Sequence, residues 1–392
     1  MADRTTITDG AVRNSRVTGG APRCPDIGSG RPSGQTAPAA PPASNWRRRG
    51  PADDPAALFA EMVRIRAFEE ASAGLWRRGL ISGEMHLGIG EEAVFAGVIA
   101  HMREGDGLAF DHRSGPPMVA RGCDLEALVL EMLGDEHGLC RGRGGHMHFL
   151  APDLLAAGTG IVGAPGPVAC GFALAAGRLR SGAAAVAFFG DGAANQGMLL
   201  EALNLAVCWR LPAIFVCKQN GWAITTRTRR TTGGDLLERA RGFGLPAERI
   251  DGSDVAAVSV AARRAFARAR DGRGPSFLLA RCRRVEGHFL GDPLYRVVDS
   301  PADEAQRLGP QFRRALLARP RAPAARARAL ASLASTIGLA AVERRLRRRD
   351  PLAVAGRRLP RPTAEAVERE AAEEVADAVS SALARAGVAR NG

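Results

Sequence analysis

Short apolar runs alternate with longer amphipathic stretches through the middle of the chain, and this alternation constrains the fold more than any other feature. The apolar runs cover 184–189, 213–217 and 276–282, and stretches with helical spacing at 195–209 and 254–270 separate them. A strand followed by a crossover helix and a further strand is typical of a parallel sheet. We therefore predict an α/β fold with a parallel sheet flanked by helices.

The two ends of the chain differ from this middle region. The first 50 residues are rich in Gly, Pro, Ser, Thr and Arg and have little hydrophobic periodicity, so we predict a disordered tail. Acidic residues in this tail argue against a transit peptide. Helical spacing begins at Pro55 and continues to about Gly79, and a final helix is predicted from about Ala364 to Ala384. The predicted organisation is a tail over 1–50, a sheet-containing domain over 51–300 and a helical extension over 301–392.

The formal charge of the chain is +13, and Lys218 is its single lysine among 54 basic residues. Arginine in place of lysine, with abundant Ala and Gly, is typical of a GC-rich genome. The densest basic runs, 263–284 and 344–349, carry no interleaved aromatic residues and no nucleic-acid motif. No apolar run approaches the roughly 18 residues that a membrane span needs. We therefore predict neither nucleic-acid binding nor a membrane segment.

The cysteines are scattered, without a C-x-x-C pair and without a neighbouring histidine at ligand spacing, so the sequence indicates neither a zinc site nor a disulfide. An odd number of cysteines without an apolar signal segment fits a reducing cytoplasm. The seven cysteines are Cys24, Cys123, Cys140, Cys170, Cys208, Cys217 and Cys282.

A glycine-rich turn after the run at 184–189 points to a bound phosphate. It reads G-D-G-A-A-N-Q-G from Gly190 to Gly197 and leads into a predicted helix, an arrangement that can bind phosphate through backbone N–H groups. The turn matches neither the dinucleotide fingerprint nor the P-loop. A carboxylate repels a diphosphate, so the presence of Asp191 in this turn indicates a divalent cation between the two groups. Mg²⁺ is the first candidate for this cation. The alternative is that Asp191 is an ordinary helix N-cap.

A second candidate metal ligand follows the next predicted strand. Asn220 comes just after the run at 213–217, at the end of the strand where open α/β sheets bind ligands. Together the two segments resemble the thiamine-diphosphate signature, a G-D-G turn followed after roughly thirty residues by an asparagine. In that family the metal is held by the Asp, the final Asn and a backbone carbonyl two residues on. The resemblance implies metal ligation by Asp191, Asn220 and Trp222, with Gly192 and Ala193 against the cofactor.

Three further blocks, in the same order, resemble the alpha subunits of the 2-oxo-acid dehydrogenases. Residues 142–148 resemble the G-K-G-G-S-M-H block, 158–164 contain the G-I-V-G-A block, and 284–296 resemble the G-H-x-x-x-D-P-x-x-Y-R loop. In that family the second block contacts the aminopyrimidine, which implies this role for Gly160 and Val162.

The same resemblance assigns charged and histidine residues to the site. Residues 110–113 resemble a block that faces the cofactor, which implies cofactor contacts from His112 and Arg113, and a guanidinium suits diphosphate well. Arg284 and His288 of the loop are also implied to contact the cofactor. The implied catalytic residues are His288 and His86, whereas His146 and His148 are equally well explained as local hydrogen-bonding residues.

The resemblance implies a thiamine-diphosphate-binding fold, and Mg²⁺ and thiamine diphosphate as cofactors. The implied reaction is decarboxylation of a 2-oxo acid, with pyruvate as the first candidate, or cleavage of acetoin, with the thiazolium as electron sink. The implied acceptor is a lipoyl arm on a separate acyltransferase. A beta subunit is implied to complete the site in an α2β2 assembly.

The sequence departs from the family pattern at three positions. Gln219 replaces an asparagine, His112 replaces a tyrosine, and Gly115 stands where pyruvate enzymes commonly have a histidine. The glycine is also seen in branched-chain relatives, whereas the region around His288 looks more like acetoin enzymes. The segment 301–350 fits the family poorly. The alternatives are therefore a relative acting on another 2-oxo acid and a scaffold-like subunit without turnover.

Overall fold

The structure is a computed structural model, and it describes residues 50–179, 182–284, 286–292, 296–298, 300–317, 323–345 and 350–388. The predicted disordered tail lies outside these ranges, except for its last residue, Gly50. Residues 293–295 of the loop block also lie outside them.

A seven-stranded sheet forms the centre of the fold. Its strands are β1 (Gly107–Phe110), β2 (Leu150–Ala151), β3 (Ala156–Gly158), β4 (Ala185–Gly190), β5 (Ala213–Gln219), β8 (Ala247–Asp251) and β9 (Ser276–Arg281), and a separate small ribbon pairs β6 (Trp222–Ala223) with β7 (Thr226–Arg227). The order across the sheet is β2-β3-β1-β4-β5-β9-β8. Neighbouring strands are parallel, except for the pair β2 and β3. The predicted parallel sheet is therefore confirmed.

Helices cover both faces of the sheet and continue beyond it. The helices are α1 (Pro55–Arg77), α2 (Glu92–Ile99), α3 (Gly115–Ala120), α4 (Leu125–Leu133), α5 (Pro165–Leu179), α6 (Gly197–Cys208), α7 (Thr228–Thr231), α8 (Leu236–Gly242), α9 (Val255–Arg270), α10 (Pro301–Leu317), α11 (Pro323–Arg345), α12 (Pro351–Gly356) and α13 (Arg361–Arg385). In the described part of the chain, every helix is too short or too polar to span a lipid bilayer.

The central strands are apolar throughout because both of their faces are buried. Successive side chains of a strand point to opposite faces. On β4, Val186 and Phe188 therefore join the apolar core formed with α1, α2 and α9. Ala187 and Phe189 join the second core, formed with α5, α6 and α8. Continuous apolar runs are expected of strands covered on both sides.

The strand order reverses at the centre of the sheet, between the neighbouring strands β1 and β4. From β1 the chain continues to β3 on one side, whereas from β4 it continues to β5 on the other side. Ligands of open α/β sheets bind at the carboxyl ends of the strands beside such a point. The segments that follow β1 and β4 are therefore the first places to look for a site.

The carboxyl-terminal helix α13 packs against the amino-terminal part of the fold. Its residues Ala371, Val375 and Leu383 belong to the same buried core as α1. The Nε atom of Arg64 on α1 lies 3.0 Å from a carboxylate oxygen of Glu374. The predicted helical extensions at both ends of the sheet region are confirmed.

Candidate functional site

The predicted site residues meet at one edge of the sheet. They follow β1 (Asp111 to Arg113), β3 (Thr159 to Val162), β4 (Asp191), β5 (Asn220) and β9 (Arg284). Because these five strands are parallel, their carboxyl ends lie at the same edge. A cleft of about 930 Å³ includes Asn220, Trp222, Arg284 and His288 in its lining.

Asp191 is fully buried at the start of the glycine turn. Its carboxylate accepts hydrogen bonds from the backbone N–H of Gly192 at 3.1 Å and of Gly221 at 2.9 Å, and from the hydroxyl of Thr228. Burial raises the pKa of Asp191, and these three donors oppose that rise. The bond to Gly221 joins the turn after β4 to the turn after β5.

The alternative in which Asp191 caps the following helix is wrong. Helix α6 begins at Gly197, and the residue at its N-cap position is Gln196. Asp191 instead lies five residues before that cap and binds donors from two other segments. Helix capping therefore does not account for the burial of this carboxylate.

Asn220 and Trp222 form a tight turn at the end of β5. The Oδ1 atom of Asn220 accepts a hydrogen bond from the backbone N–H of Trp222 at 2.9 Å, which fixes the asparagine side chain. An amide oxygen has a second lone pair, so this bond leaves it able to accept another partner. The guanidinium of Arg227 lies 4.4 Å from the centre of the Trp222 ring. Metal binding by Asp191, Asn220 and Trp222 stays a prediction.

Two arginines, Arg113 and Arg284, influence each other electrostatically in this part of the fold. The guanidinium of Arg113 is buried and donates to the carbonyl oxygens of Leu87 and, at 2.8 Å, of His288. Burial and the positive charge of Arg284 lower the pKa of Arg113 to about 10. The buried Nε atom of Arg284 has no hydrogen-bond partner among the residues that the structure describes. A pair of guanidiniums with an unsatisfied donor fits a multiply charged anion such as a diphosphate.

Three histidines that the sequence assigned to the site form one cluster. The ring centres of His86 and His112 are 4.7 Å apart, those of His86 and His288 are 4.9 Å apart, and those of His112 and His288 are 5.4 Å apart. Burial and the nearby Arg113 lower the pKa of His86 to about 2 and that of His288 to about 3, and also lower the pKa of His112. All three imidazoles are therefore neutral in this state.

The remaining predicted cofactor residues lie at the same edge of the sheet. Gly160 lies beside the ring of His148, because a Cβ atom added to Gly160 would be 3.0 Å from the Nε2 atom of His148. The side chain of Val162 is exposed. Gly192 lies close to the ribbon, since a Cβ atom there would lie 2.8 Å from the Cβ atom of Ala223. Ala193 is buried.

A buried ion triad beneath the site was not predicted. The ammonium of Lys218 lies 2.8 Å from a carboxylate oxygen of Glu91 and 3.2 Å from one of Asp111. Burial alone would lower the pKa of Lys218, but the two carboxylates outweigh burial and raise it. The one feature of the sequence that could have indicated this triad is Lys218, a single lysine at the end of an apolar strand.

Glu69 is a second buried acid that the sequence did not reveal. One of its carboxylate oxygens accepts the backbone N–H of Gly88 at 2.6 Å, two residues after His86. The other oxygen occupies the space that a Cβ atom at Gly115 would need. Burial raises the pKa of Glu69 to about 8, against the opposing hydrogen bond from Gly88. Glu69 is therefore protonated near neutral pH.

We expect Glu69→Gln to become more stable than the wild type as the pH rises from 6.5 to 8. The folded state holds the Glu69 proton up to about pH 8, whereas the unfolded chain releases it near 4.5. The contribution of Glu69 to the free energy of unfolding is therefore fully present below pH 4.5. It decreases as the pH rises from there through about 8, by up to about 1.4 kcal/mol per pH unit. Urea unfolding at several pH values measures the difference between variant and wild type. The neighbouring exposed Glu70→Gln is the control, and an equal pH profile for both variants would contradict the prediction.

Comparison with known proteins gives a consistent result. The sequence model of the dehydrogenase E1 component matches residues 60–308. The chain is 41% identical over 237 residues to the alpha subunit of acetoin:2,6-dichlorophenolindophenol oxidoreductase of Bacillus subtilis, covering 60% of this chain and 71% of that protein. The alpha subunit of the same name in Cupriavidus necator is 43% identical over 238 residues, with the same coverage of 60% and 71%. The alpha subunit of the pyruvate dehydrogenase E1 component of Zymomonas mobilis is 40% identical over 239 residues, covering 60% of this chain and 68% of that protein.

Proposed function

Because the chain belongs to the dehydrogenase E1 component family, we propose that it is the alpha subunit of an enzyme that decarboxylates a 2-oxo acid or cleaves acetoin. The family implies thiamine diphosphate as the cofactor and an oxidoreductase of the 2-oxo-acid dehydrogenase kind. The names of the relatives, which are alpha subunits, imply a beta subunit as partner. We further propose that the two subunits form an α2β2 assembly.

The pair Arg113 and Arg284 is the observation that carries this proposal. The positive charge of Arg284 lowers the pKa of Arg113, and Arg284 has a buried donor without a partner in the described residues. We propose that they hold the diphosphate, with Gly192 and Ala193 of the turn beside it. Mg²⁺ would be held by the carboxylate of Asp191, the side-chain oxygen of Asn220 and the carbonyl of Trp222, because oxygen donors suit this hard cation. Gly160 and Val162 would contact the aminopyrimidine.

In this proposal His288 and His86 handle protons near the reacting carbon. Bound thiamine diphosphate supplies the electron sink for the carbon–carbon bond that breaks. The carbonyl of His288 accepts a hydrogen bond from Arg113, which holds the backbone of this residue at the wall of the cleft. Neutralisation of Arg113 and Arg284 by an anion removes one cause of the low pKa of His288. His288 is then better able to take up and return a proton.

The substrate remains a choice between related carbonyl compounds. We propose pyruvate as the first candidate and acetoin as the second, with a lipoyl group on a separate acyltransferase as the acceptor. Gly115 packs against an oxygen of Glu69, which occupies the space that the side chain of a histidine at that position would need. The contact supports a substrate screen that includes branched-chain 2-oxo acids. The second candidate function is a scaffold-like subunit that has kept the fold without turnover.

We expect turnover only when the chain is combined with its beta subunit, thiamine diphosphate and Mg²⁺. The experiment supplies pyruvate, branched-chain 2-oxo acids and acetoin separately and follows the reduction of an artificial dye, so that no acyltransferase is needed. Reduction with one of these substrates supports the proposal and identifies the substrate. Cofactor binding without reduction by any of them would favour the scaffold alternative.

A further inference from the structure

The histidine cluster has a second chemical capacity that does not depend on the proposed function. One ring nitrogen each from His86, His112 and His288 lies within 4.8 Å of the other two. The three residues come from segments far apart in the sequence, so no local spacing indicated them as joint ligands. Three imidazoles around one point are a typical donor set for a transition-metal ion with an open fourth position.

A fourth histidine defines the protonation of His86. The Nε2 atom of His146 lies 3.2 Å from the backbone N–H of His86, which can only donate, so this Nε2 atom must be an acceptor. The same Nε2 atom lies 3.1 Å from Nδ1 of His86. The proton between the two rings therefore belongs to Nδ1 of His86. The Nε2 atom of His86 is left with its lone pair, and a carboxylate oxygen of the exposed Glu84 lies 3.8 Å from it.

The other two imidazoles differ in how they can offer a nitrogen to a ligand. The Nε2 atom of His112 is buried and has no hydrogen-bond partner among the described residues. The Nδ1 atom of His288 lies 3.4 Å from the guanidinium of Arg113, which can only donate, so the proton of the neutral ring lies on Nε2. Metal binding through Nε2 therefore requires the other tautomer, in which this contact with Arg113 is given up. An unpartnered buried ring nitrogen is costly unless a partner arrives. His86 and His112 each keep a ring nitrogen for a ligand, and His288 offers one after this change of tautomer.

We infer that His86, His112 and His288 form a binding site for a transition-metal ion of the Zn²⁺ or Co²⁺ type, separate from the predicted Mg²⁺ site. Zn–N bonds of about 2.0–2.1 Å place tetrahedral ligands about 3.4 Å apart, so the rings must move inward by at most about 1 Å. His146 orients His86 as a supporting hydrogen-bond partner orients many metal-bound histidines. Mg²⁺ prefers oxygen ligands and does not suit this site.

The charged residues around the histidine cluster determine which fourth ligand binds together with the metal ion. Arg113 and Arg284 repel a cation, whereas the carboxylate of Glu91 offsets part of the charge of Arg113. We therefore expect the ion to bind together with an anion, such as hydroxide, in its fourth position. Because His86 and His288 are the proposed catalytic residues, an ion here would remove both from proton transfer. Binding of the ion would therefore inhibit the proposed reaction.

Titration of the full chain with Co²⁺, in excess Mg²⁺ and without thiamine diphosphate, tests the inference. We expect a visible absorption band of four-coordinate Co²⁺ that Zn²⁺ displaces. His112→Phe should lower the Co²⁺ affinity at least 10-fold, and His146→Phe should lower it by about 10-fold because it removes the acceptor that orients His86. Neither result requires enzymatic activity, so failure of the proposed function leaves this test intact.

Two control variants distinguish this site from binding at a surface histidine and from binding at the predicted Mg²⁺ site. His137 is exposed and paired with Asp135, so His137→Ala should leave the Co²⁺ titration unchanged. Asp191→Asn should also leave it unchanged, because the predicted Mg²⁺ ligand is not part of the cluster. The inference is overturned if the wild type gives no such band, if a correctly folded His112→Phe keeps full affinity, or if Asp191→Asn loses the band.

Discussion

Replacing Asp191 by asparagine is expected to lower Mg²⁺-dependent binding of thiamine diphosphate by about 100-fold or more. The substitution keeps the size of the side chain but removes the negative charge next to the proposed cation. A unit charge about 4 Å from a cation contributes on the order of 4 kcal/mol at an effective dielectric constant of 20, which exceeds the roughly 2.7 kcal/mol of a 100-fold change. Calorimetry of the complex with the beta subunit, with and without Mg²⁺, measures the effect.

Controls for this variant must separate loss of the cation from loss of the turn. The carboxylate also accepts bonds from Gly221 and Thr228, so circular dichroism must show that the variant folds. Thr228→Val removes one of these donors while keeping the charge, and should weaken cofactor binding far less. Asp124→Asn changes an exposed helix cap, where asparagine caps equally well, and should change nothing. Wild-type affinity of Asp191→Asn in Mg²⁺ would contradict the proposed metal ligand.

Lys218→Met is expected to destabilise the fold by about 3–5 kcal/mol. The side chains of Lys218 and Glu91 are each 1% exposed, and the ammonium lies between Glu91 and Asp111. Methionine fills a similar space but leaves two carboxylates without their cation. Removal of one partner from a buried ion pair is costly because the remaining charge stays out of water. Urea unfolding at pH 7 measures the loss.

The matched comparison for this effect is an ion pair on the surface. Arg241 and Glu238 are 49% and 66% exposed, so Arg241→Met should cost less than about 1 kcal/mol. Adding Glu91→Gln to Lys218→Met removes one of the two uncompensated charges and should restore part of the stability. Equal losses for Lys218→Met and Arg241→Met would show that the buried triad contributes little.

Periodicity was sufficient to predict three of the seven strands of the sheet, β4, β5 and β9, and the helices α6 and α9, because burial on both faces of these strands produces continuous apolar runs. The predicted run 213–217 became β5, and the predicted helix at 254–270 became α9 (Val255–Arg270). Periodicity could not reveal that β1 lies between β3 and β4. Strand order depends on how helices pack across the sheet, and no local pattern records that packing.

The site was predictable where a motif supplied the residues and not where tertiary contacts did. Asp191 and Asn220 were recognisable from a turn and a strand end, since both are local features. Glu69 lies in the middle of an amphipathic helix and approaches the site through its contacts with Gly88 and Gly115, which are distant from it in sequence. The sequence left His146 open as either a catalytic or a local hydrogen-bonding residue, and the structure shows its contact with His86. Residues of this kind act through neighbours that are distant in sequence.

The assembly of one sheet edge from five separate strand ends has a consequence for the order of folding. The histidine cluster joins residue 86 to residue 288, and Arg113 bonds to the carbonyl of His288 across the same span. Contacts between such distant positions form slowly, because the loop between them must close first. During synthesis, the amino-terminal half of this edge leaves the ribosome well before the segment that completes it. The binding surface therefore forms late, and until then the apolar strands depend on their helices for protection from aggregation.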